Sequence, residues 1–129
     1  MSTELEILAW TVVLGLVQVV LAAVFVVRER GLPWAMSARD DPGRPVGETA
    51  SRLQRVQANF METFPFFAAV VLIADAIDVH TTMTAVGAHL YLWARVAYIP
   101  LYAIGVPMAR TIAWAASILG IVLILLAIA

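Results

Sequence analysis

Hydrophobic and polar positions along the chain fall into long blocks. Leu5 to Val27 is an apolar run interrupted only by Glu6 at its start and by Thr11 and Gln18. A polar stretch rich in Arg, Asp, Pro and Gly follows, over about residues 28–47. In it Pro33, Pro42 and Pro45 forbid a continuous helix, and Gly31, Gly43 and Gly47 supply turns. A second helix is expected over about 48–77; its first half carries Arg52, Arg55, Gln57, Asn59 and Glu62, and only Phe64 to Ala74 is lipid-like. Asp75, Asp78 and His80 mark a short exit loop, and a third span is expected over 83–104, with His89 and Arg95 inside it. After Gly105 and Pro107, the uncharged run 111–129 forms a fourth.

A bilayer core about 30 Å thick takes roughly twenty helical residues, so runs of this length fit single crossings. Backbone amides in lipid must be paired within their own segment or in a closed barrel, and barrel-like alternation is missing. The expected class is therefore all-α: one domain over residues 1–129, a bundle of four transmembrane helices with spans at about 5–27, 48–77, 83–104 and 111–129. No repeat relates the two halves. Glu4 and Glu6 stand where a signal peptide would be basic, and the first run is too long for its apolar region, so that span is read as retained.

Composition supports this picture: 63% of residues are hydrophobic, 13% are charged and mean hydropathy is +0.93, which excludes an ordinary soluble domain. The net charge of -1 says little, but charge placement says more. All eight basic residues are Arg; six of them (28, 30, 39, 44, 52 and 55) lie between the first span and the lipid-like part of the second, and Arg110 lies between the third and fourth. By the positive-inside rule both loops are cytoplasmic, with both termini and the 75–80 loop outside. The Arg form no nucleic-acid stripe, so nucleic-acid binding is not expected. The absence of Cys removes disulfides and a protein thiol nucleophile, and any thiol must come with a ligand. An Ala-rich chain with Arg in place of Lys suggests a bacterial inner-membrane protein.

Arg55, Asn59 and Glu62 share one helical stripe, with Arg52 one turn earlier. On the third span Tyr91, Arg95, Tyr98 and Tyr102 form another. Charges at membrane depth are costly unless paired or hydrated, so each stripe is a functional candidate. Glu62 and Arg95 each lie seven residues inward from the cytoplasmic side, from Arg55 and Tyr102 respectively, roughly 10 Å deep in antiparallel helices. Two readings stay open: a structural Glu62–Arg95 pair, or a surplus of Arg charge awaiting an anionic cytosolic ligand. Arg110 sits at a helix N-terminus, unfavourable for a cation, and is either a topology anchor or a functional group.

The segment Arg55-Val56-Gln57-Ala58-Asn59-Phe60-Met61-Glu62-Thr63-Phe64-Pro65 resembles the second-helix signature of the MAPEG family, the membrane-associated proteins in eicosanoid and glutathione metabolism. Tyr91-Leu92-Trp93-Ala94-Arg95-Val96-Ala97-Tyr98, with Tyr102, Gly105 and Arg110, is similar to the third-helix and loop signature of the same family. The resemblance implies a homotrimer with glutathione sites between protomers, open to the cytoplasm. It implies that Arg55, Gln57, Asn59 and Glu62 hold glutathione's charged ends and amides. Arg28, Arg95, Tyr98 and Tyr102 complete the binding set, and Arg110 is the catalytic arginine that steadies the thiolate. Thr63 stands where the leukotriene synthase branch has Tyr and Glu29 where it has a second Arg, and Arg110 lies one residue further from Tyr102, so leukotriene synthesis is not implied.

The implied activity is a glutathione-dependent transferase or peroxidase acting on an apolar electrophile or lipid hydroperoxide that arrives through the bilayer. A thiol of pKa about 8.5 needs roughly 2.7 kcal/mol of differential stabilisation to fall by about two units, which a desolvated guanidinium can supply. The alternative is a non-catalytic lipid- or glutathione-binding protein on the same scaffold. A small multidrug exporter is disfavoured, because the first span has no carboxylate beyond Glu6 at its very start and offers only Gln18 within the membrane. No metal is expected: His89 has no second His at ligand spacing. Gln18 is expected to bond a neighbouring helix, Pro65 and Pro100 to bend theirs, and Trp10, Trp34 and Trp114 to anchor at the interface.

Overall fold

The computed structural model describes residues 1–129 and is all-helical: α1 (Thr3–Arg30), α2 (Leu32–Ala35), α3 (Glu48–Ala76), α4 (Thr82–Ala103) and α5 (Pro107–Ile128). Three helices, α1, α3 and α5, are each long and apolar enough to cross a membrane. The fourth long helix, α4, is diluted by His89, Arg95 and the three Tyr, and runs beside them. The chain is a multi-pass membrane protein built on a bundle of four long helices.

The helix ends follow from local chemistry. Ser2 caps α1 by accepting from Leu5 N at 3.2 Å, Glu4 and Glu6 occupy its first turn, and Arg28 and Arg30 its last, each sign at the favourable end of the dipole. The 28–47 stretch is less irregular than its prolines suggest. Helix α1 continues through Arg30, and Pro33 opens the single turn of α2, where a missing N–H costs nothing. Trp34 folds this loop on itself: Nε1 donates to Asp41 O at 2.7 Å, and the Arg30 and Arg39 guanidinium carbons lie 4.8 and 5.0 Å from its ring centroid. Helices α3 and α4 run unbroken through Pro65 and Pro100.

Helices α3 and α4 form the middle of the bundle: each packs against the other, against α1 and against α5, while α1 and α5 do not meet. The core joins Ile7 of α1, Phe60, Phe67 and Val71 of α3, Tyr91 of α4 and Ile124 of α5. Phe67 and Tyr91 stack at 4.1 Å, and the buried Tyr91 hydroxyl is 2.8 Å from Thr63 Oγ1, so the phenol is satisfied at membrane depth. The α4–α5 seam is closest at Gly87 and Gly120, where a Cβ on either would come within 2.6 Å of the other's carbonyl oxygen. Large apolar side chains such as Leu16, Val20, Phe66, Trp93 and Leu126 face outward, as a lipid solvent requires.

Gln18 does not bond a neighbouring helix: buried at 3% exposure, its Nε2 donates to Leu14 O of its own helix at 3.3 Å. An i−4 carbonyl is always within reach of a helical side chain of this length, whereas a cross-helix acceptor must be supplied by packing.

One end of the bundle gathers the Arg-bearing loop and the α4–α5 connection; the other gathers both chain termini and the α3–α4 loop. At the arginine end α4 closes in a Schellman motif, Val106 N donating to Leu101 O and Gly105 N to Tyr102 O, both at 3.0 Å. Gly105 takes φ +78°, and a Cβ there would also strike the Arg52 guanidinium. The reversal is so tight that α5 begins at Pro107, four residues before the uncharged run, and Arg110 falls in its first turn.

Candidate functional site

Helices α3, α4 and α5 bring the polar stripes together at the arginine end. Arg52 braces the corner: Nη1 donates to Ala103 O at 3.1 Å, one of the carbonyls that α4 leaves free at its end, and Nη2 pairs with Glu48. Beside it a polar cavity of about 210 Å³ is lined by Arg52, Arg55, Tyr102, Gly105, Pro107 and Arg110. The Arg55 and Arg110 guanidinium carbons lie 5.7 and 4.7 Å from the Tyr102 ring centroid, so one phenol ring is flanked by two cations.

Deeper along the same face lies a cavity of about 190 Å³ lined by Asn59, Tyr98, Arg110, Thr111 and Trp114. Tyr98 is buried and its ring lies 5.5 Å from that of Tyr102. Deeper still, Glu62, Thr63, Phe66, Trp114, Ile118, Ile121 and Val122 line a mainly apolar cavity of about 310 Å³. Arg110 is common to the first and second cavities, and Trp114 to the second and third. The three adjoin at these shared side chains along the α3–α5 side and form a segmented groove, with a cationic mouth, a narrow polar waist and an apolar inner end.

Arg95 sits behind this groove. It is 1% exposed, its Nη1 donates to Asn59 Oδ1 at 2.8 Å, and Nε and Nη2 are buried without a hydrogen-bond partner. Its guanidinium carbon is 4.3 Å from the Tyr98 ring centroid and 5.8 Å from that of Phe60. The Glu62–Arg95 ion pair, one of the two readings left open by the sequence, does not form. The chain's ion pairs are Arg52–Glu48 and those of His80 with Glu4, Asp75 and Asp78, and Glu62 is exposed on the outer face of α3. The helix register puts Asn59, one turn nearer the mouth, opposite Arg95.

The remaining candidates lie elsewhere. Gln57 lines a separate cavity of about 370 Å³ between α1 and α3, with Arg30, Trp34, Arg39 and Gln54 around its polar end. Arg28 is exposed on α1, its guanidinium carbon 5.9 Å from the Phe25 ring centroid. Within one chain, then, Arg55, Asn59, Glu62, Tyr98, Tyr102 and Arg110 share a groove, Arg95 supports it from inside, and Gln57 and Arg28 are on the α1 flank. Two residues of the waist escaped the sequence reading. Thr111 stood out in no pattern, and Trp114 read as an interfacial anchor; its place four residues after Arg110, on the same face of α5, was the available signal.

His89 accepts a hydrogen bond from the Trp93 indole at 3.3 Å, within its own helix. No cluster of His and carboxylate side chains is arranged to hold a metal ion. A search of curated proteins finds no match to the chain. The model of the MAPEG family matches residues 7–129.

Proposed function

Because the chain belongs to the MAPEG family, we propose that it is a membrane glutathione-dependent transferase or peroxidase whose chemistry takes place in the α3–α5 groove. The observation that carries this reading is that three adjoining cavities pass from cationic to apolar along one side of the bundle. The side chain at the waist, Arg110, also lines the cationic mouth, and Trp114 joins that waist to the apolar end. An anionic tripeptide suits the mouth, with Arg55 beside Tyr102 to meet a carboxylate. An apolar molecule dissolved in the bilayer suits the inner end. The two meet at Arg110.

At that point the guanidinium stabilises a thiolate relative to the thiol, in surroundings where Trp114 and the apolar wall limit competing hydration. With an electrophile, sulfur forms a bond to carbon and a leaving group departs or an alkene accepts the electron pair. With a hydroperoxide, sulfur attacks the O–O bond and releases the alcohol; a second glutathione then yields the disulfide and water. Asn59, Glu62, Tyr98 and Tyr102 hold the peptide, and Arg95 acts from behind them.

Gln57 and Arg28, on the opposite flank, belong in this reading to the neighbouring copy's site: a homotrimer seats the α1 flank of one protomer against the groove of the next. The arginine end faces the cytoplasm, where glutathione is supplied, and both termini face outward across a bacterial inner membrane. The test is an ultraviolet difference spectrum of the detergent-purified protein titrated with glutathione. Saturable thiolate absorbance at neutral pH is expected. Binding without thiolate would favour a non-catalytic binding protein on the same scaffold, and no binding would end the glutathione reading.

A further inference from the structure

Arginine has only donors, so whatever oxygen lies against it must accept. Arg95 Nη1 is 2.8 Å from Asn59 Oδ1, and this fixes which way the Asn59 carboxamide points. Its Nδ2 is then directed away from Arg95. That atom has no hydrogen-bond partner in the chain, yet it is not among the buried unpartnered atoms, which are Arg95 Nε and Nη2 alone. It reaches open space, and Asn59 lines the waist cavity with Tyr98, Arg110, Thr111 and Trp114. Thr111 spends its proton on Pro107 O at 3.0 Å and so presents only lone pairs there.

Resting on the glutathione site proposed above, we infer that Arg95 is a positioning residue: it locks the Asn59 amide so that its N–H group, beside Arg110, donates to an anionic or carbonyl oxygen or to the thiolate of the bound ligand. Arg95 itself is sealed behind Asn59 and Tyr98 and does not touch the ligand. Freed from Arg95, the amide could turn its oxygen towards the cavity. The waist would then repel the groups it is built to receive.

Asn59→Asp separates this role from a structural one. The carboxylate keeps an acceptor for Arg95 and offers it a full ion pair, so thermal stability should hold or rise, but the donor facing the cavity is gone. Glutathione affinity, read by titration calorimetry on the intact detergent-solubilised assembly, should fall on the order of a hundredfold. Arg95→Leu should weaken binding by about tenfold and Arg95→Lys by less, and Arg95→Leu combined with Asn59→Ala should be no worse than Asn59→Ala alone, because Arg95 acts through that amide.

Unchanged or tighter binding by a stable Asn59→Asp protein would overturn the donor assignment. Strict additivity in the double variant, measured as glutathione affinity, would overturn the positioning role even if Arg95→Leu alone loses stability. Failure of the unmodified protein to bind glutathione would be a different result: it would remove the ligand itself, and the donor role with it.

Discussion

The two ends of the bundle treat charge in opposite ways. At the termini end Glu4 is 3% exposed, accepts from Thr84 Oγ1 at 2.5 Å and lies 3.3 Å from His80 Nδ1. His80 Nε2 in turn lies 3.5 Å from Asp78 and 3.7 Å from Asp75. That cluster ties α1 to α4 and the α3–α4 loop across 80 residues of sequence, and none of its members lines the α3–α5 groove. At the arginine end Arg55 and Arg110 have no carboxylate within ion-pair distance and line the walls of a cavity. Burying a charge is costly at either end. Where the partner is another part of the chain, the result is a clasp; Arg55, which is exposed, and Arg110, which is half-buried, keep their charge free to meet a ligand.

If that contrast is right, substitutions at the two ends should move different observables. The largest effect is expected from Arg110→Leu, which should lower the thiol-transfer rate on the order of a hundredfold, the loss of a charge-assisted contact worth about 2–3 kcal/mol. The melting temperature should change little. Size-exclusion profiles check that the assembly survives, and wild-type turnover in this variant would shift the catalytic assignment away from α5.

Glu4→Ala should do the reverse. It strips Thr84 and His80 of a shared acceptor, costing about 1–3 kcal/mol in a denaturation experiment, with glutathione affinity unaltered in calorimetry. A drop in affinity matching the drop in stability would erase the distinction between the ends. Arg55→Leu sharpens it from the other side: about tenfold weaker glutathione binding, or roughly 1.4 kcal/mol, with the maximal rate retained. The smallest effect belongs to Asp78→Asn. Asp78 is 96% exposed and has φ +57°, which Asn tolerates, so neither melting temperature nor activity should shift measurably.

Much of the groove's lining was legible because helical period is local. Arg55, Asn59 and Glu62 recur at four and three residues, and all three line the groove. The same period argues against grouping Gln57 with them, since two residues turn a helix by about 200°, and Gln57 indeed lies on the α1 flank. Arg95 was recognisable as a buried cation, but its partner was not. Counting depth inward from two helix ends carries an error of about a turn, roughly 5 Å, enough to exchange Glu62 for Asn59. The pairing of Glu4 with His80 was out of reach altogether: nothing local relates a residue in the first turn of α1 to a loop more than seventy positions later.

The sequence by itself determined the solvent and the class. Uncharged runs long enough to cross a bilayer can satisfy their backbone only as helices, and those helices hold their polar residues on narrow stripes. Tertiary structure alone decided which stripe faces which. It brought the α5 first turn against Tyr102 through the reversal at Gly105, set Asn59 rather than Glu62 against Arg95, and joined three small cavities into one segmented groove through Arg110 and Trp114. The physical reason is that helix formation is settled by interactions within a few residues, while helix register is settled by close packing such as the Gly87–Gly120 contact, where a shift of one turn alters every opposing pair at once.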